Sequence, residues 1–205
     1  NYRADHAAVI RVGGAADDRA LKRLLAKRYC ATIGDSALSD IGIYTANRQV
    51  SMVFAAPFAP PPAEAATQVA AKVLQLVNVA RAQSRKCGSK KFTRVPPLKL
   101  DRVLTRASLH HAQDMAARGN ASHHGSDGSS PGDRATRAGY QWNVVGENVA
   151  AGQLSAEEVV SGWLSSPGHC VNIMDPEFSQ MGVAYVVNAK TDGGIFWAQL
   201  FGRPQ

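Results

Sequence analysis

Apolar residues recur at helical spacing in three stretches of this chain and form two short runs near its end. Residues 64–84 contain no Pro or Gly, and Val69, Val73, Leu76, Val77 and Ala80 share one face, which predicts a long amphipathic helix. A second helix is predicted over 101–118, stopped by Gly119, with Leu100, Leu104, Ala107, His111 and Met115 along its inner stripe. The third opens on the capping box Ser155-Ala156-Glu157-Glu158, carries Val159, Val160, Trp163 and Leu164 inward, and stops at Pro167-Gly168. Residues 181–187 and 195–201 read as apolar strands joined by the turn-rich stretch 188–194, while 120–133, polar and rich in Gly and Ser, reads as loop. Helix, helix, loop, strand, helix, strand, strand predicts an α+β fold with antiparallel strands.

Ala56-Pro57-Phe58-Ala59-Pro60-Pro61-Pro62 is stiff punctuation between differently patterned regions, and divides the chain into an N-terminal segment, 1–62, and a main domain, 63–205. Sliding the chain by 140 positions sets Ala16-Asp17-Asp18 against Ala156-Glu157-Glu158, Leu24 against Leu164, Cys30 against Cys170, Ile33 against Ile173, and Gly42 against Gly182. Tyr29 then faces His169, and Arg23 faces Trp163. The N-terminal segment therefore reads as a degenerate partial repeat, a helix followed by a two-strand hairpin over 16–56, with no site of its own.

Two side chains stand where sites are usually built. His169 follows the Pro167-Gly168 stop, just past a helix end, and Glu147 ends a loop that enters an apolar run. His111 lies on an apolar helix face and reads as a hydrogen-bonded core histidine; His110 and His124 read as exposed, and Asp127 as the residue that turns its own loop.

Composition narrows the setting. No apolar run approaches the ~20 residues that span a bilayer. The first residue is Asn1 rather than Met, which fits either a mature form with any signal peptide removed or a trimmed chain, so export is permitted but not shown. A formal charge of +7 favours anionic surfaces such as envelope polymers or lipid head groups. Basic residues are scattered except for Arg81, Arg85, Lys86, Lys90, Lys91 and Arg94, which fall at a helix end and its following loop and complement the helix dipole, so nucleic acid is not the expected partner. No Gly-x-Ser-x-Gly elbow is present, and no His-Glu-x-x-His metal signature.

An ordered set of short words remains: Ser122-His123, Asp127-Gly128-Ser129-Ser130, Arg134, Ala138-Gly139-Tyr140, Gly146-Glu147-Asn148, Trp163, Ser166-Pro167-Gly168-His169, Asn172-Ile173, Phe178, Met181-Gly182-Val183 and Trp197-Ala198-Gln199. Together they resemble the bacterial branch of the cysteine-rich secretory protein, antigen 5 and pathogenesis-related 1 superfamily, the CAP domain, from about residue 70 to the C-terminus. The resemblance implies a three-layer α-β-α sandwich around a central antiparallel sheet, with a shallow cleft holding two histidines and two glutamates. His123 takes the place of the first histidine and Glu147 that of the first glutamate. The second glutamate's position is Ser166, the second histidine's is Phe196, and His169 is the residue that fills the cleft by another route.

His123, Glu147 and His169 could hold Zn2+ with a fourth position open to water, activating it as a nucleophile; the competing reading is a hydrogen-bonded cluster that stabilises the fold. The resemblance also implies a Cys87–Cys170 disulfide, an oxidising compartment, and Cys30 as a free, buried thiol, although the sequence leaves Cys30 pairing with either partner open. The expected function is that of a secreted or periplasmic monomer that binds an envelope or host ligand (lipid, glycan, protein or anionic polymer) without turnover. The alternative is a metal-dependent hydrolase of peptide or cell-wall bonds, with Glu147 as base.

Overall fold

The computed structural model describes residues 2–15, 17–47 and 49–205. The chain divides into two compact units, Asn1–Ala59 and Pro60–Gln205.

In the first unit, β1 (Ala4–Gly13), α1 (Asp18–Arg28), the single turn α2 (Cys30–Ile33), β2 (Asp40–Ala46) and β3 (Gln49–Pro57) form a three-stranded antiparallel sheet of order β1-β3-β2 with a helix on one face. Asp17 caps α1 by accepting from the Ala20 amide at 2.7 Å, and Leu21, Leu24 and Leu25 pack on Ile10, Val12, Met52 and Phe54. The helix and hairpin agree with the sequence reading; β1 is additional, its alternation visible only in Ile10 and Val12 turning inward between exposed Val9 and Arg11. Cys30 is exposed, not buried as expected, because α2 is one turn long and buries none of its residues. At the 140-residue offset, strands begin at Asp40 and Gln180, whereas the helix breaks fall at Tyr29 and Ser166; Ala16 lies outside the described residues.

The second unit holds α3 (Ala66–Arg81), β4 (Arg85–Cys87), β5 (Lys90–Phe92), β6 (Lys99–Leu100), α4 (Arg102–Arg118), α5 (Pro131–Arg137), β7 (Trp142–Ala151), α6 (Ala156–Ser165), α7 (Pro167–Met174), β8 (Gln180–Asn188) and β9 (Gly194–Pro204). The sheet runs β6-β8-β9-β7, antiparallel except for the short parallel pairing of β6 with β8. Central β9 is buried on both faces, which explains an apolar run over 195–201 interrupted only by the buried Gln199. Ile195, Trp197 and Phe201 pack with Met181, Val183 and Tyr185 against α3, α6 and α7. Phe196, Ala198 and Leu200 face α4. These are the three layers expected. Gly182 lets α4 lie on β8: a Cβ there would meet the Thr105 amide nitrogen at 2.1 Å.

Helix boundaries depart from the apolar pattern in two places. A 3-10 turn at Ala63–Ala65 precedes α3, which ends at Arg81 rather than near 84. The chain from Arg85 to Phe92 is a two-stranded ribbon, not a loop. Its turn uses Gly88 at φ +60°, and Cys87 is bonded to Cys170 of α7, Cα to Cα 5.4 Å. Closing a separation of 83 residues contributes up to about 4.5 kcal/mol in the chain-entropy account. Lys86 stands directly opposite Lys91. Like charges so placed repel. Lys91→Glu should therefore stabilise the protein by about 0.2–1 kcal/mol, read from urea unfolding; a destabilised variant would contradict the register.

Candidate functional site

The proposed site residues come from separate elements. Glu147 lies in the middle of β7 rather than at its entry, on the face that looks toward α4. His123 is on the loop after α4. His169 is inside α7, not past a helix end: Pro167 starts a new helix, where its missing amide hydrogen costs nothing. The predicted loop 120–133 also ends early, because Ser130 and Asp133 form a capping box around Pro131 and begin α5.

Glu147 is buried and fully engaged. His123 Nδ1 donates to Oε1 at 2.9 Å, and Arg134 Nη2 donates to Oε2 at 2.5 Å. Arg134, itself buried, also donates from Nη1 to the Ser129 carbonyl at 2.7 Å and from Nη2 to the His123 carbonyl at 3.1 Å, so one guanidinium holds both the carboxylate and the backbone of the histidine loop. His111 joins the cluster: its Nε2 donates to the Ser122 carbonyl at 2.7 Å and lies 3.8 Å from Glu147 Oε2, while its buried Nδ1 has no hydrogen-bond partner. On the other face, Asn172 Nδ2 donates to the Glu147 carbonyl and to Asn148 Oδ1, both at 2.9 Å, and Asn148 Nδ2 donates to Gln199 Oε1 at 3.1 Å. This amide chain ties α7, and with it His169, to β7. Asp127 turns its loop as expected, accepting from the Ser129 amide at 2.9 Å.

The two imidazoles face one another with ring centroids 6.4 Å apart, tilted by 55°. His123 is half exposed and His169 partly buried. The hydrogen bond to Glu147 raises the His123 pKa above its usual value. Burial first, then repulsion from His123, lowers that of His169, and burial lowers that of His111. Near neutral pH the two facing rings therefore pair one biased toward the donor form with one biased toward the neutral form. The linkage runs in opposite directions. His123 adds stability that is complete below its unfolded pKa of about 6.5 and is lost as pH rises through the folded value. His111 and His169 must stay neutral, so they lose stability as pH falls below about 6.5. Glu147→Gln should lower the His123 pKa toward about 6.5 and leave the His111 titration below it, as followed by NMR of the ring protons; an unmoved His123 would break the assigned pair.

The cluster does not fit a zinc ion. Glu147 has one oxygen on an imidazole and the other on a guanidinium, and no three His, Cys, Asp or Glu side chains among the described residues form a metal-binding group. The family positions that would complete a tetrad hold Ser166 and the fully buried Phe196. Sequence reasoning gave Arg134 no role at the site and placed His111 only in the core. The signal available was a buried carboxylate next to an arginine already present in the motif set.

A sandwich with a histidine loop set over a strand carboxylate defines a CAP-type domain. The model of the cysteine-rich secretory protein family, CAP, matches residues 74–201, and the chain belongs to that family, in its bacterial branch. It is similar to the uncharacterized protein YkwD of Bacillus subtilis (strain 168), 34% identical over 137 residues that make up 67% of this chain and 49% of YkwD. It is also similar to the uncharacterized membrane protein YlbC of the same organism, 25% identical over 55% of this chain and 30% of YlbC. The chain spans half or less of the length of these relatives. Among solved structures, an extracellular SCP-domain protein of Bacillus anthracis superposes with TM-score 0.57 at 18% identity, covering 83% of this chain and 62% of that one, a likeness of fold.

Proposed function

We propose that this chain is an exported binding module that engages an envelope or host ligand in the cleft between His123 and His169, without turnover. The observation that carries the reading is the double engagement of Glu147. A carboxylate whose two oxygens are held by an imidazole N–H and a guanidinium is a poor general base, because both oxygens are already engaged as hydrogen-bond acceptors. Its work is to fix the loop and charge state of His123, leaving that half-exposed ring and His169 to meet a ligand. A donor-biased ring opposite a neutral one suits a ligand with both an acceptor and a donor, such as a hydroxyl or amide. The Cys87–Cys170 bond supports an oxidising compartment, and no helix among the described residues is long and apolar enough to cross a membrane.

Native mass spectrometry with metal analysis on protein recovered from its source tests this. The expected result is a co-purifying lipid, glycan or peptide lost on His169→Ala, with no stoichiometric metal. A stoichiometric metal removed by chelation, together with metal-dependent cleavage of an envelope polymer, would replace this reading with the hydrolase.

A further inference from the structure

Arg85, Lys86, Lys90, Lys91 and Arg94 lie within ten positions of one another. Basic groups near a helix C-terminus are ordinarily accounted for by its dipole. Here that account fails. α3 ends at Arg81, whose guanidinium is turned inward onto four backbone carbonyls, and the next five cations lie on the ribbon β4–β5 and just after it.

The ribbon holds these charges close to one another. Lys86 and Lys91 face each other in register, and Lys90 is opposite Cys87. Among the described residues none of the five is in an ion pair; the arginines and lysines that are so paired lie elsewhere. The charges cannot drift apart by flexing of the ribbon, because it is pinned at both its bond and its turn. Cys87 is bridged to Cys170, and a Cβ on Gly88 would lie 3.0 Å from the side chain of Pro167, so the turn rests on the first residue of α7. A rigid display of like charge is costly alone and favourable once a polyanion crosses it.

We infer that the β4–β5 ribbon is the docking surface for a phosphate-bearing envelope polymer, with successive phosphates meeting Lys86, Lys91, Lys90 and Arg94. Lysine ammonium groups are compact point charges suited to phosphate oxygens, and the Arg94 guanidinium beside them can fork onto the same kind of group. Lys86, Lys90, Lys91 and Arg94 are all exposed on or just after the ribbon, which suits a chain over a single small anion. A membrane surface is disfavoured because the ribbon exposes no large apolar side chain for insertion, its one aromatic, Phe92, being partly buried. The same lack of an exposed ring disfavours single-stranded nucleic acid. The surface lies outside the cleft, so this inference and the cleft reading can fail separately.

Inorganic polyphosphate of uniform length, titrated at low salt into the full chain by calorimetry, tests it. Lys86→Glu with Lys91→Glu should weaken binding by about tenfold or more and flatten its salt dependence, and Lys86→Gln with Lys91→Gln should weaken it by a smaller factor in the same direction. Arg19→Glu with Lys22→Glu, the same charge change on the exposed face of α1, should leave affinity within about threefold, and His169→Ala should leave it unchanged. Equal loss from the ribbon and α1 pairs would overturn the assignment by making net charge the only cause. Binding of poly-L-glutamate, duplex DNA or phosphatidylglycerol vesicles as tightly as polyphosphate would overturn the partner class.

Discussion

Arg81→Met should lower the unfolding free energy by about 3–5 kcal/mol, seen as a lower denaturant midpoint at unchanged slope. Arg81 is fully buried, and no carboxylate among the described residues is in ion-pair contact with it. Instead Nε donates to the Pro96 carbonyl at 2.7 Å, Nη1 to those of Ile173 at 2.7 Å and Asp175 at 2.9 Å, and Nη2 to that of Phe178 at 3.2 Å. Burial lowers its pKa to about 10, which still leaves the group charged at neutral pH. Replacing a buried ion pair with apolar residues can be neutral because both partners leave together. Here the partners are backbone carbonyls, which no substitution removes, and each one left unpaired costs about 1–3 kcal/mol. Arg81→Lys keeps the charge, but a single ammonium cannot span the fork, so a large part of the loss should remain. Three of the four carbonyls belong to the end of α7 and the approach to β8, so loosening them should also degrade the ligand binding proposed at His169. A methionine variant within about 1 kcal/mol of the parent would refute this account.

Glu147→Ala is expected to be comparably severe, at about 3–5 kcal/mol, because it leaves the buried Arg134 guanidinium without its carboxylate. It should also loosen the His123 loop, which loses its side-chain bond to Glu147 and keeps the bonds from Arg134 to the His123 carbonyl and from His111 to the Ser122 carbonyl. The decisive measurement is a double-mutant cycle with Arg134→Met. Removing both charges should recover part of the stability lost in Glu147→Ala alone, whereas strictly additive losses would show that the two side chains do not act as a pair. Ligand binding should not recover in the double variant, because His123 still lacks the bond that sets its protonation.

Most of the architecture was legible in the sequence because each element buries a patterned face. The stripes of α3, α4 and α6 and the apolar runs of β8 and β9 locate the layers, and Asp101, Gly119 and Ser155 mark helix ends with side-chain or left-handed caps. The errors have local causes. Pro167 reads as a stop when it is the first residue of α7, since proline serves both roles and only the following backbone separates them. Ser130 with Asp133 is a weaker capping signal than one with Glu, and it lay in a Gly-rich stretch. The ribbon at Arg85 has three-residue strands, too short for an alternation to register.

The family, the layered α+β fold and the pairing of His123 and Glu147 as neighbours could be read from the chain alone, because caps, periodicity and an ordered set of motifs are local properties of the chain. The sequence did not determine what those side chains do. That His111 and Arg134 converge on one Glu147 carboxylate, that Arg81 turns inward while its basic neighbours turn outward, and that Lys86 faces Lys91 were decided by tertiary structure. Charge state, solvation and hydrogen-bond partnership depend on residues distant in sequence, and those meet only when the layers close.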